Sequence, residues 1–293
     1  MRKPIILRKS TLYILFYLYI IMKTRNKIYI IGLIVILLIS LFQGQPREGF
    51  ETGAPGPMDT SVYVINLDKD TERYQEFTEY YNKSDFSKIP CKRFPATYGK
   101  NIDSEDYLAP HAKDEFNAVN SQGYRTKHHQ LTHGGMGCFL SHYRLAQQFV
   151  DSDDVPYIIV FEDDTVCKPN TKQLLDEYIS KAPQNWDLLS FQQWRLKGDD
   201  VNELYTKPTS FWGTGMYVLR KSGAQKLLDE VNSTKIDGQI DAYLSRMSQQ
   251  NKMNVYACKQ PLTIDNSKNM SNIQAELREK TGVDPFDYFG TPL

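Results

Sequence analysis

YIIVFEDD, residues 157–164, is the stretch on which the fold turns. Its first five residues are a continuous apolar run without polar alternation, the pattern of a strand buried on both faces. The run ends abruptly in three acids. Outward from it the chain alternates between two kinds of segment. Residues 61–67 (SVYVINL) and 186–191 (WDLLSF) predict strands, as do 216–219 and 254–257. Residues 71–81, 138–150 (CFLSHYRLAQQFV), 171–180, 222–231 and 236–247 predict helices, with apolar positions three and four apart. Strand, helix, strand, helix predicts an α/β domain with a largely parallel central sheet. In such sheets ligands bind beyond the carboxyl ends of the strands, and the acids of 162–164 stand at one of those ends.

The composition bounds the answer. At 293 residues, 41% hydrophobic and 24% charged, the chain is long enough to bury a sizeable core. Thirty-five basic residues balance 35 acidic ones, so the net basic surface of a nucleic-acid binder is missing. A mean hydropathy of -0.50 excludes a polytopic transporter. One local block departs from it. Residues 28–42 (IYIIGLIVILLISLF) are almost wholly apolar and follow Lys23, Arg25 and Lys27 within a basic and apolar segment, 1–27. No small-x-small cleavage site follows, so the block reads as a retained signal anchor. The basic flank keeps the N-terminus cytosolic and sends the rest across, a single-pass type II arrangement with the domain on the lumenal or exoplasmic side. Residues 43–60 are rich in Gly and Pro and read as a stem, leaving 61–293 as the domain.

Three adjacent acids repel one another unless something neutralises them. Hard carboxylate oxygens suit Mn2+ or Mg2+, and such a cation would bridge a diphosphate and neutralise a leaving group. A solvated acidic turn capping the helix near Thr171 is the other reading. At the end of the first strand, Asn66 and Asp68 with Arg73 carry the polar groups to bind a base, ribose or phosphate, or simply to cap a helix. Gly134, Gly135 and Gly137 open the long central helix, where glycines allow an anion to approach or the chain to turn. His142 reads as structural, and His128, His129 and His133 as parts of a polar loop without zinc-site spacing. Cys91, Cys138, Cys167 and Cys258 are too few for a disulfide scaffold.

Six blocks in order carry a resemblance: VYVINLDKDTERYQEF (62–77), GGMGCFLSHYRLAQQF (134–149), YIIVFEDDTV (157–166), WDLLSFQ (186–192), GTGMYVLRKSGAQKLL (213–228) and IDGQIDAYL (236–244). Together they resemble glycosyltransferase family 25, which includes bacterial lipooligosaccharide galactosyltransferases and the procollagen galactosyltransferases. The resemblance implies a GT-A nucleotide-sugar-binding α/β sandwich and an inverting, UDP-sugar-dependent hexosyl transfer, galactose first, to a glycan or glycoprotein hydroxyl. It places Glu162, Asp163 and Asp164 at the metal motif, with Asp164 holding Mn2+ against the UDP diphosphate and Glu162 near the ribose. Asn66, Asp68 and Arg73 would line the nucleotide pocket, and Gly213 and Thr214 a loop facing the sugar. The general base that an inverting transferase needs would be Asp241, with Asp237 second. A degenerate domain that binds glycans without turnover is the alternative from another class. The stretch 100–131 is polar, departs from the family pattern and leaves acceptor recognition open.

Overall fold

The computed structural model describes residues 60–266, apart from positions 104, 105, 124 and 153. Six strands form the central sheet: β1 (Ser61–Asn66), β2 (Cys91–Pro95), β3 (Tyr157–Glu162), β5 (Leu188–Asp200), β6 (Tyr205–Arg220) and β7 (Val255–Cys258), in the order β2-β1-β3-β6-β5-β7. A two-stranded ribbon pairs β4 (Thr165–Cys167) with β8 (Thr263–Asp265). In the central sheet β1 runs parallel to both neighbours, β6 antiparallel to β3 and β5, and β7 parallel to β5. Five strands therefore share one direction and β6 alone opposes them. This is the largely parallel α/β sheet that the apolar runs predict.

Period-two alternation divides the core in two. Tyr63, Ile65, Ile158 and Val160 pack on one side with Phe139 and Leu140 of α3 (His133–Ser152), Leu227 of α5 (Lys221–Thr234) and Tyr243 of α6 (Ile240–Gln249). Val62, Val64, Ile159 and Phe161 pack on the other with Phe77 and Tyr81 of α1 (Thr71–Lys83) and Leu175 of α4 (Thr171–Ser180). A short helix, α2 (Lys113–Gln122), precedes α3. Fully burying each of these side chains contributes about 1.5–3 kcal/mol. Phe161 adds tilted and edge-on ring contacts with Phe77, Tyr81 and Phe86 at centroid distances of 5.6, 6.1 and 5.4 Å, the geometry aromatic pairs favour.

Several boundaries differ from the sequence expectations, each for a physical reason. β5 and β6 run far beyond 186–191 and 216–219 as a long hairpin. Its outer half is polar and mostly exposed at 195–200, so no apolar run announces it. The last helix starts at Ile240 rather than 236, because Ile236 is extended and bridges Leu108. The acidic turn does not cap α4. That task falls to Asp85, whose carboxylate accepts from the backbone N–H groups of Lys172 and Gln173, both at 2.8 Å. The expected segments 1–27 and 28–42, and the stem 43–60 apart from Thr60, lie outside the described residues. Among the described residues no helix is long and apolar enough to cross a membrane.

The glycines that open α3 serve close packing of the chain. Thr132 caps the helix, its hydroxyl accepting from the Gly135 N–H at 3.0 Å. A Cβ on Gly137 would lie 2.5 Å from the Thr97 carbonyl oxygen, and one on Gly99 only 1.6 Å from the His133 oxygen. The loop at 97–99 and the first turn of α3 therefore touch backbone to backbone. Ser141 closes the contact by accepting from the Thr97 N–H at 2.8 Å. Gly99→Ala is expected to destabilise the domain by about 3 kcal/mol, the upper part of the usual overpacking range. Thermal denaturation would show this as a Tm lowered by several degrees.

Candidate active site

The site lies beyond the carboxyl ends of β1 and β3, where register pairs Ile65 with Glu162 and leaves Asn66 at the rim. The turn after β3 is tied to β1 and α1. The Asn66 Nδ2 donates to Asp163 Oδ2 at 2.7 Å, and Arg73 donates through Nε to Asp163 Oδ1 at 2.9 Å and through its terminal nitrogen to Asp164 Oδ2 at 3.0 Å. A second contact joins the same terminal nitrogen of Arg73 to Asp163. Both oxygens of Asp163 are thus engaged and the side chain is buried, which makes it the clasp of the turn. Asn66 is itself oriented by Arg93, which donates to Asn66 Oδ1 and to Asp68 Oδ1, both at 2.7 Å. Asp68 is largely exposed.

Asp164 and Glu162 experience different fields. Burial, and then the neighbouring charge of Glu162, push the Asp164 carboxyl up to about 7, with Asp265 and Asp163 adding to the rise and Arg73 opposing it. Glu162 goes the other way. Burial alone would raise its pKa, but hydrogen bonding and charge from His142, with the Thr214 hydroxyl, hold it below the ordinary carboxylate value. Thr214 Oγ1 donates to Glu162 Oε1 at 2.5 Å, and His142 Nε2 lies 3.3 Å from the same oxygen. His142 is oriented in turn by the Tyr217 hydroxyl, 2.9 Å from Nδ1. Asp265 reaches this group from β8, which pairs Asp265 with Thr165, and burial raises its carboxyl too. Four carboxylates (Glu162, Asp163, Asp164 and Asp265) therefore crowd around Arg73. Hard oxygen donors carrying an uncompensated negative charge are the environment a Mn2+ or Mg2+ ion fits.

These raised carboxyls predict a pH effect on the metal-free protein. The folded state holds more protons on Asp164 than the unfolded chain between pH 3.8 and about 7, so stability falls as pH rises through that window. The Tm in the presence of a chelator should decline across it. Mn2+ should restore the loss at the upper end, because a cation binds the deprotonated carboxylate.

The second half of the site comes from α6 and β6. Asp241, buried in the first turn of α6, accepts from the Gly213 N–H through Oδ2 and the Ala242 N–H through Oδ1, both at 2.7 Å. His128 Nε2 is 3.4 Å from Oδ2. The His128 ring stacks on Trp212 at 4.0 Å with a 3° interplanar angle, and the Arg195 guanidinium lies 4.3 Å from the Trp212 ring centre. Burial lowers the pKa of His128 to about 4, the charge of Asp241 notwithstanding, so the imidazole is neutral at pH 7. Arg125, buried beneath, donates to the His128 carbonyl at 2.7 Å.

Gly213 and Thr214 are not in a loop. They sit within β6, where Gly213 adopts φ +88°, a left-handed conformation suited to glycine. A Cβ there would come within 2.1 Å of the Trp194 ring. Consecutive residues of one strand therefore hold two carboxylates, Gly213 that of Asp241 and Thr214 that of Glu162. Asp237 is engaged elsewhere: Arg246 donates to it at 2.6 Å and His111 lies at 3.5 Å. The structure thus brings Asn66, Arg73, Glu162, Asp163 and Asp164 together, and joins them to Asp241 through Gly213 and Thr214. His142, Asp265, Arg93 and His128 belong to the same assembly, yet carry no local motif. Only the position of His142 one turn into the central helix hinted at it. All four cysteines are free thiols.

The profile of Glycosyltransferase family 25 (LPS biosynthesis protein) matches residues 59–244, which contain Asn66, Arg73, Arg93, His128, His142, the acids 162–164, Gly213, Thr214 and Asp241 but not Asp265. The chain belongs to glycosyltransferase family 25. Relatives of this family-25 chain include a "Glycosyltransferase 25 family member" of Aedes aegypti, 30% identical over 196 residues, covering 64% of this chain and 30% of that protein. The procollagen galactosyltransferase 1 of Danio rerio is 28% identical over 180 residues, covering 57% and 28%. A putative glycosyltransferase of Haemophilus influenzae is 29% identical over 187 residues, covering 61% of each chain. The match spans less than a third of the two animal proteins.

Proposed function

We propose that this family-25 chain is a metal-dependent inverting glycosyltransferase of GT-A architecture. It moves a hexose, with galactose the first candidate, from a UDP-sugar to a hydroxyl of a glycan or of a hydroxylated protein side chain. Residues 28–42 would anchor it as a type II membrane protein with the domain on the lumenal or exoplasmic side. The observation that carries the enzymatic reading is the pair of carboxylates held by consecutive residues of β6. One belongs to the acidic strand end and the other stands apart from it on α6, as donor activation and acceptor deprotonation require.

Asp164 and Glu162 would hold the metal, with Asp265 adding negative charge beside them. When bound, the cation neutralises charge building on the diphosphate leaving group. Asn66 and Arg73 fix Asp163, and through it the turn that carries Asp164. Asp241 takes the proton of the acceptor hydroxyl as its oxygen attacks the anomeric carbon in line. The N–H groups of Gly213 and Ala242 orient that carboxylate, and neutral His128 buttresses it. The name of the Danio rerio relative supports galactose as the sugar.

The test is UDP release by the full-length chain across a panel of UDP-sugars, with and without Mn2+, offered glycan and hydroxylated-peptide acceptors. Release confined to one donor and dependent on the metal supports the reading and names the sugar. Absence of both release and metal-dependent UDP binding would overturn it in favour of a glycan-binding module.

A further inference from the structure

Cys138 and His142 lie four residues apart on α3 and so project from one face of it. Both meet Glu162. The Cys138 sulfur, one imidazole nitrogen of His142 and one carboxylate oxygen of Glu162 all lie within 4.8 Å of one another. We propose that Cys138, His142 and Glu162 form a second cation site, for a borderline-soft divalent ion such as Zn2+, which shares Glu162 with the all-oxygen site at Asp164 but differs from it in chemistry.

Ligand type separates the two sites. A thiolate, an imidazole and a carboxylate are the set that zinc accepts in tetrahedral coordination, at roughly 2.0–2.3 Å from each donor. Mn2+ and Mg2+ favour the hard oxygens of Asp164 and Asp265. The 3.3 Å between His142 Nε2 and Glu162 Oε1 already matches the edge of such a tetrahedron. The Cys138 sulfur, on the same helix face, lies within 4.8 Å of both atoms and would close on the ion from there. Three protein ligands leave one position open, as in zinc sites that exchange a ligand.

The surroundings of His142 accommodate loading. A metal-bound imidazole passes its other N–H to a neighbour that fixes its orientation. Here the neighbour is the Tyr217 hydroxyl, 2.9 Å from Nδ1. A hydroxyl both donates and accepts, so Tyr217 serves the tautomer that donates from Nε2 to Glu162 as well as the one that presents an Nε2 lone pair to a metal. On loading, the Cys138 thiol gives up its proton to solvent, the sulfur, Nε2 and Oε1 each donate a lone pair, and no electron is transferred. Glu162 Oε1 has a second lone pair with which to keep the Thr214 hydroxyl. A zinc-loaded protein would, however, hold the Glu162 carboxylate that the cation at Asp164 also needs. That consequence for activity rests on the transferase reading; the site itself does not.

Cobalt absorption tests the site without any transferase assay. Co2+ is titrated into the metal-stripped, reduced full-length chain, in parallel with Cys138→Ser and Cys138→Ala. The expected result is a saturable thiolate-to-cobalt charge-transfer band at one equivalent, displaced by Zn2+ at far lower concentration than by Mn2+, and lost in both variants. Zn2+ should also raise the Tm of the unsubstituted chain and leave that of the variants unmoved. No band in the unsubstituted chain, or an undiminished band in a variant whose far-ultraviolet circular dichroism shows it folded, would overturn the proposal.

Discussion

Replacing Asp164 by asparagine is expected to lower Mn2+-dependent UDP release by about 10²- to 10³-fold, the usual loss when one preorganised electrostatic contact to a developing charge is removed. The substitution keeps the shape and takes away the charge. Burial and the charge of Glu162 oppose the ionisation of Asp164 and push its carboxyl up to about 7. It therefore has much to gain from a cation. Mn2+ affinity, read by calorimetry, should fall with the activity. The uncharged variant should also be more stable than the parent at pH 8 without metal, since it no longer holds a buried like charge. Unchanged Mn2+ affinity in Asp164→Asn would remove this residue from the metal site. Asp163 is a poor substitute in that role, both of its oxygens being taken by Asn66 and Arg73.

Asp241→Asn should produce the second large effect, of a different kind. Loss of a general base costs typically 10²- to 10⁴-fold in kcat, and the donor half of the site is built from other side chains. UDP affinity and Mn2+ affinity should accordingly stay near those of the parent while kcat collapses. Some stability will go as well. A side-chain amide accepts through one oxygen only, so one of the two N–H groups now facing Asp241, from Gly213 or Ala242, loses its partner at a cost of about 1–3 kcal/mol. A Tm shift of that size with intact UDP binding fits the base. If UDP affinity and kcat fell in equal proportion, Asp241 would instead be a brace for the bend at Gly213.

Why some of this was legible in the chain and some was not follows from the range of the forces involved. Residues 157–161 predict a strand buried on two faces because burial on both sides demands apolar residues at every position, and β3 fulfils it between β1, which is parallel to it, and β6, which is antiparallel. The helices over 71–81 and 171–180 are legible for the same local reason, since their apolar period is set by residues three and four positions apart; the cap of α4 is not, because it comes from Asp85, 87 positions away. The outer half of the β5–β6 hairpin escaped because a solvent-exposed ribbon imposes no such pattern. The stretch 100–131 escaped because, beside its local hydrogen bonds, it is placed by distant partners: His128 by Asp241, His111 by Asp237 and the Gln130 carbonyl by Gln239. Arg125 and His128 become intelligible only when His128 stacks on Trp212, 84 positions later.

The sequence by itself determined the α/β architecture, the family and the acidic strand end, since each depends on residue types at short spacing. Tertiary structure alone decided how that acid cluster is used. It made Asp163 the clasp, left Asp164 the strained acid, added Asp265 from a strand near the end of the described chain, and placed Asp241 and Glu162 on adjacent residues of β6. Hydrogen bonds and charge interactions act between groups a few ångströms apart in space, whatever their separation along the chain, and no spacing rule in one dimension encodes that distance.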